Sequence, residues 1–171
     1  MIETGSIDEL FEQAIAIEQT AQHIYEQFAR LFAQHSDVAA FWTQYAADEA
    51  RHARWLDRLR ESLTPDQRAA PADSQLLTTA RALVQSAESQ PLNRIFDLND
   101  AFQLAHYLES SEVNTIFVFL VKAFDTDPEI EEYVHAQIKD HVEHLSVEFP
   151  QAFGGMYSRL SVLANHTQLS K

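Results

Sequence analysis

The chain contains no cysteine, which excludes disulfides, thiolate nucleophiles, zinc–cysteine knots and cysteine-held iron–sulfur centres. Any redox chemistry must therefore use another cofactor. Glycine and proline are scarce, 3 and 5 among 171 residues, too few for a loop-rich or low-complexity chain. Basic residues are also few: 12 Lys+Arg face 26 Asp+Glu, and a formal charge of −14 repels phosphate backbones and anionic lipid. Neither nucleic acid nor a membrane is expected as a partner. The longest strictly apolar run, Ile116 to Val121, is far short of a bilayer span. The start, Met1-Ile2-Glu3-Thr4-Gly5, lacks the basic-then-apolar order of a secretion signal, so the expected location is cytoplasmic. The 171 residues are enough for one domain with a substantial core and too few for two of ordinary size.

What the chain has is helical periodicity. Ser6 followed by Glu9 forms the pattern of a capping box, and Leu10, Phe11, Ile15, Glu18, Tyr25, Phe28 and Phe32 then recur near the helical period. Ser36 can cap a second helix with Phe41, Tyr45, Glu49, His52, Leu56 and Leu59 on one stripe; the short connection near His35 makes the two antiparallel. Residues 63–99, with Pro65, Pro71 and Pro91, read as a crossover holding one short helix from about Ser74 to Ser89. A third long helix is expected from Asn99 or Asp100 through Ala123. Asp127-Pro128-Glu129 opens a fourth, which Pro150 ends near Phe149. Residues 150–171 form an extension with a small helical piece around Met156, Tyr157, Leu160 and Leu163. Strand signals are absent. Two helical hairpins joined by a long crossover, with the bundle over about 6–149, make an all-α four-helix bundle of ferritin-like topology.

The two hairpins also repeat chemically. Helix 2 carries Asp48-Glu49-Ala50-Arg51-His52 and helix 4 carries Asp140-His141-Val142-Glu143-His144, while Glu18 and Glu109 stand at matching levels on helices 1 and 3. A carboxylate on one helix and a residue-x-x-His pair on the next, supplied twice, is an arrangement that holds two metal ions between four helices. Each motif alone is a weak signal, because a solvated charge pair gives the same spacing. The face carries more weight: Glu18 lies between Ile15 and Tyr25, Glu49 and His52 between Tyr45 and Leu56, and Glu109 and Glu112 between Leu108 and Ile116. Acids on an apolar stripe need partners, and there are too few inward Lys or Arg to serve.

Over residues 6 to 149 the chain resembles the rubrerythrin-type branch of the ferritin-like di-iron carboxylate proteins. The resemblance is most specific in Glu18, Asp48-Glu49-x-x-His52, Glu109-x-x-Glu112 and Asp140-His141-x-x-His144. It implies Glu18, Glu49, His52, Glu109, Glu112 and His144 as metal ligands, Glu49 bridging, and Tyr25 hydrogen-bonding near them. Where the family pattern has a bridging Glu, this chain has His141. On a helical wheel with steps of roughly 100°, His141 falls near the apolar side of Ile138, Val134, Leu145 and Phe149, whereas Asp140 and Glu143 point largely away. His141 is therefore the expected local ligand. Two iron ions are the cofactor the resemblance implies; ligand type alone also suits manganese or zinc.

The implied function is a di-iron oxidoreductase that reduces hydrogen peroxide or oxidises Fe(II). A rubredoxin-type electron-transfer iron would need four cysteines, so a peroxidase of this sequence requires a separate electron-donor protein. A homodimer is the expected assembly. Two other readings stand beside it: an iron storage or handling protein, and a metal-free degenerate bundle with an interaction role. Arg51, Arg54, Arg58 and Arg60 read as a solvent-facing charged stripe, and Asp48 and Asp140 as groups that each orient a histidine on a neighbouring helix.

Overall fold

In the computed structural model of the chain, the residues described are 5–90, 92–109, 113–125 and 128–156, without the side chains of 113–114, 128–131, 133–135 and 156. Ser6 accepts a hydrogen bond from the Glu9 N–H at 3.2 Å and opens α1 (Ile7–Leu31). The reciprocal half of the capping box does not form. The Glu9 carboxylate turns instead to Arg81, whose Nε donates to Oε1 at 2.9 Å, a charge-assisted bond stronger than one from a backbone N–H. After a short turn α2 (Ser36–Ser62) runs back along α1; its N-cap is His35, and the Ser36 hydroxyl contacts Asp37 instead of capping. Arg60, near the end of α2, donates to Asp8 at 2.8 and 2.9 Å and to Glu12 at 2.7 Å, fixing the antiparallel register. It faces α1, not solvent.

The crossover holds two helices where one was expected. Thr64 and Gln67 make a complete capping box for α3 (Pro65–Ala69), and Asp73 caps α4 (Ser74–Glu88) by accepting from the N–H groups of Gln75 and Leu76. Backbone bonds Ile7 N to Ala70 O and Ala72 N to Gly5 O, both 2.9 Å, hold the crossover against the start of α1. A side chain at Gly5 would collide with Leu77 and Glu9, so the close approach requires glycine. Among the described residues the sole β feature is the isolated Ser6–Pro71 bridge.

The second hairpin is less regular than the first. Asp97 accepts from the Asp100 N–H at 2.9 Å near the start of α5 (Leu98–Glu109), slightly ahead of the expected start; α6 (Val113–Phe124) follows. Residues 110–112, including Glu112, lie outside the described set, as does Asp127. The fourth helix, α7 (Pro128–Glu143), passes into a π turn over His144–Glu148 and then α8 (Phe149–Phe153). Pro150 does not stop the helix. Phe149 N–H reaches back to His144 O, and Pro150, at the start of α8, occupies a position where a missing N–H is tolerated. The chain then enters a 3₁₀ turn, Gly154–Met156; Tyr157, Leu160 and Leu163 lie outside the described residues.

Two apolar layers fill the bundle. One contains Leu10, Phe11, Leu56, Leu59, Leu77, Phe117 and Leu120; the other contains Tyr25, Phe28, Trp42, Tyr45, Leu98, Leu145 and Phe149. Each fully buried large apolar side chain contributes about 1.5–3 kcal/mol. Along α1 the order is aliphatic layer, Glu18, aromatic layer, and along antiparallel α2 it is reversed around Glu49 and His52. The carboxylates therefore sit at mid-length, sealed from above and below. No described helix is long and apolar enough to cross a membrane.

Candidate metal centre

The polar level between the layers contains Glu18, Glu49, Glu109 and His141, with relative exposures of 3%, 4%, 9% and 8%. Among the described residues no Lys or Arg is buried with them. His52 Nδ1 lies 3.4 Å from Glu18 Oε2 and 3.3 Å from Glu49 Oε2. Across the bundle His141 Nε2 lies 3.1 Å from both Glu49 Oε1 and Glu109 Oε1. Two groups of three donors result, Glu18–Glu49–His52 and Glu49–Glu109–His141, each with its ligand atoms within 4.8 Å of one another. Glu49 belongs to both, one oxygen turned to each imidazole.

The protons in this cluster follow from burial and proximity. Burial, reinforced by the charge of Glu49, raises the Glu18 carboxyl well above the usual range. Burial pushes Glu49 the same way, but hydrogen bonds with Glu18, His141 and His52 outweigh it and hold Glu49 well below that range. Within the pair, a proton therefore favours Glu18 over Glu49. Burial disfavours the imidazolium of His52, yet the Glu18 and Glu49 carboxyls prevail and lift it to about 10. His141 is likewise raised against the effect of burial, chiefly by Glu109 and then by Asp48 and Glu49. Without metal, the raised affinity of both imidazoles for a proton and the retention of a proton on the Glu18 side of the carboxyl pair offset the buried negative charge.

Divalent first-row transition ions fit this donor set. Carboxylate and imidazole are their usual ligands, and each ion would replace protons that now offset buried negative charge. Three described carboxylates leave the charge of two divalent ions one short of balance; a fourth would be Glu112, outside the described residues.

A rubrerythrin family model matches residues 9–147. The chain belongs to the rubrerythrin family. No curated protein and no solved structure matches it.

Of the residues expected at the centre of this rubrerythrin, the structure brings together Glu18, Glu49, His52, Glu109 and His141. It does not bring in His144. That side chain is 42% exposed, pairs with Glu148 at 3.1 Å and lies over Phe41. His141 already occupies the place beside Glu49 and Glu109, and His144, three residues on and so about 60° round the helix, turns to Glu148 instead. Tyr25 donates from its hydroxyl to Glu109 Oε1 at 2.6 Å, reaching across the bundle instead of orienting Glu18 on its own helix. Asp48 Oδ2 lies 3.8 Å from His141 Nδ1, on the side away from the acids, whereas Asp140 is exposed.

Tyr45 has a role that the sequence reading gave only to packing. Its hydroxyl donates to the His141 carbonyl at 2.7 Å, and its ring lies 4.2 Å from the imidazole. The available signal was its polar tip on a core stripe one turn before Glu49, since a buried tyrosine hydroxyl needs an acceptor. Phe117 packs on His52 with ring centres 5.1 Å apart, limiting that imidazole's movement.

Proposed function

We propose that this chain is a di-iron carboxylate oxidoreductase in which hydrogen peroxide is reduced and Fe(II) is oxidised, electrons returning from a separate donor protein. The observation that carries this reading is the pair of buried three-donor groups sharing Glu49. Glu18, Glu49 and His52 would hold one ion, and Glu49, Glu109 and His141 the other. Two Fe(II) ions held by these residues would supply the two electrons that, with two protons, reduce hydrogen peroxide to two waters.

The protein's own groups position and shield that chemistry. Tyr25 keeps its phenolic proton, because burial and the nearby Glu109 and Glu49 charges raise its pKa well above 10, and it holds Glu109 by donating to Oε1. Asp48 faces Nδ1 of His141 from behind, which favours Nε2 toward the acids, while Tyr45 holds the His141 backbone carbonyl and packs on the imidazole. The apolar layers exclude water from two directions. On the α2–α7 side a polar cavity of about 370 Å³, bordered by Asp48, His52, His141 and His144, gives a small polar oxidant a way in.

The test is stopped-flow mixing of the anaerobic, Fe(II)-loaded protein with peroxide and, separately, with oxygen. Rapid oxidation of two irons per chain, faster with peroxide, supports the reading. Failure to bind iron, or iron oxidised no faster than in buffer, overturns it. Accumulation of many irons per chain would identify storage or handling instead.

A further inference from the structure

Beside the polar entrance lies a second cavity of about 310 Å³, and its chemistry is different. Its walls are Trp55, Phe117 and Ile138, its rim carries Arg51, Arg54 and Arg58, and His52 borders it on the side of the buried acids. The three arginines recur along α2 at helical spacing, so they share one face with Trp55. Arg51 is engaged by Asp48 at 2.7 Å. Arg54 and Arg58 are exposed and form neither an ion pair nor a hydrogen bond among the described residues. In a chain of net charge −14 with 12 Lys+Arg in all, two guanidinium groups over an apolar cavity with no acidic partner among the described residues form a local concentration of positive charge.

We propose that this cavity binds a small organic acid, with an aromatic or branched apolar body against Trp55, Phe117 and Ile138 and its carboxylate on Arg54 and Arg58. Guanidinium groups suit a carboxylate because their planar N–H pairs match its two oxygens. A bare inorganic anion would leave the apolar wall in water, and a neutral hydrocarbon would leave the two cations unused. The volume is near the lower bound of about 300 Å³ for ligand cavities, which sets the body at about one ring. Such a ligand lies against the face of His52 turned away from Glu18 and Glu49. The site stands on side chains that need no metal, so it is independent of the iron chemistry proposed above.

The experiment is calorimetric and fluorescence titration of the full chain, metal-free and iron-loaded, with phenylacetate, benzyl alcohol and acetate. The chain has 2 tryptophans; Trp42 is fully buried among aromatic residues, and Trp55 borders the cavity, so the optical change reports on Trp55. Phenylacetate is expected to bind saturably, one per chain, and to change the Trp55 emission. Benzyl alcohol and acetate should each bind about tenfold more weakly or not at all, one lacking the charge and the other the body. The exposed double substitution Arg54→Gln/Arg58→Gln should weaken phenylacetate about tenfold while leaving the melting temperature unchanged, and Ile138→Trp should abolish binding by filling the cavity. Equal affinity for benzyl alcohol, an undiminished response in the double variant, or no saturation with phenylacetate in either metal state overturns the proposal. Loss of iron binding with phenylacetate binding intact would overturn the proposed function and leave this site standing.

Discussion

The first hairpin builds its half of the candidate centre from its own residues, and the second does not. Glu18, Glu49 and His52 stand on uninterrupted helices of 25 and 27 residues, and they hydrogen-bond to one another. Glu109 stands on α5, and His141 lies three residues before a π turn. Both are held from across the bundle: Tyr25 grips Glu109, Tyr45 grips the His141 carbonyl, and Asp48 stands behind the His141 ring. The sequence repeat therefore conceals a division of labour. One hairpin is the template, and the other presents two side chains that the template orients.

Removing the shared residue should break this comparison most completely. Glu49→Ala deletes a member of both donor groups and leaves two buried imidazoles short of their acid. Elemental analysis should show bound iron falling from about two per chain to almost none, and denaturant unfolding of the metal-free variant should lose about 3–5 kcal/mol. His141→Glu is the sharper test of asymmetry, since it removes a cation from the metal-free cluster and adds an acid in its place. The metal-free variant should melt lower than the parent, and saturating Fe(II) should raise its melting temperature by more than it raises the parent's.

Protons and metal compete for the same groups, with a definite sign. The raised pKa of His52 stabilises the metal-free fold fully below about pH 6.5, and that contribution is lost as pH rises through about 10. Over that window the metal-free melting temperature should fall while iron affinity climbs, because the imidazolium must lose its proton to bind. Calorimetry in buffers of different ionisation enthalpy should record proton release on metal binding. Constant heat across buffers would contradict the protonated cluster.

Smaller effects separate template from presented residue. Tyr25→Phe removes one of the two groups that hydrogen-bond to buried Glu109 Oε1, leaving His141 Nε2 as the other, and should cost about 1.5–3 kcal/mol in chemical denaturation, with two irons still bound. His144→Gln should leave iron content unchanged, since His144 pairs with Glu148 and stands outside both donor groups. A loss of one iron in that variant would return His144 to the centre.

Much of this was legible along the chain because helices are local. Apolar periodicity placed α1, α2 and α4, and acids on apolar stripes marked Glu18, Glu49 and Glu109 as residues in need of partners. The wheel put His141, not Asp140 or Glu143, toward the core, and the structure buries it there. Arg60 could not be read the same way, because its acids lie on another helix. Nor could His144, whose place beside Glu49 and Glu109 is taken by His141, or Pro150, which a regular α-helix would not have carried.

Periodicity, composition and the four-helix pattern determined which residues turn inward and that no cysteine chemistry takes part. Only the tertiary structure decided which inward groups meet, that Tyr25 and Tyr45 serve the opposite hairpin, and that Arg54 and Arg58 gather over an apolar cavity. The reason is range. A helix's face is set by steps of one turn, whereas the distance between two acids on different helices depends on packing angle and register, which no single helix encodes.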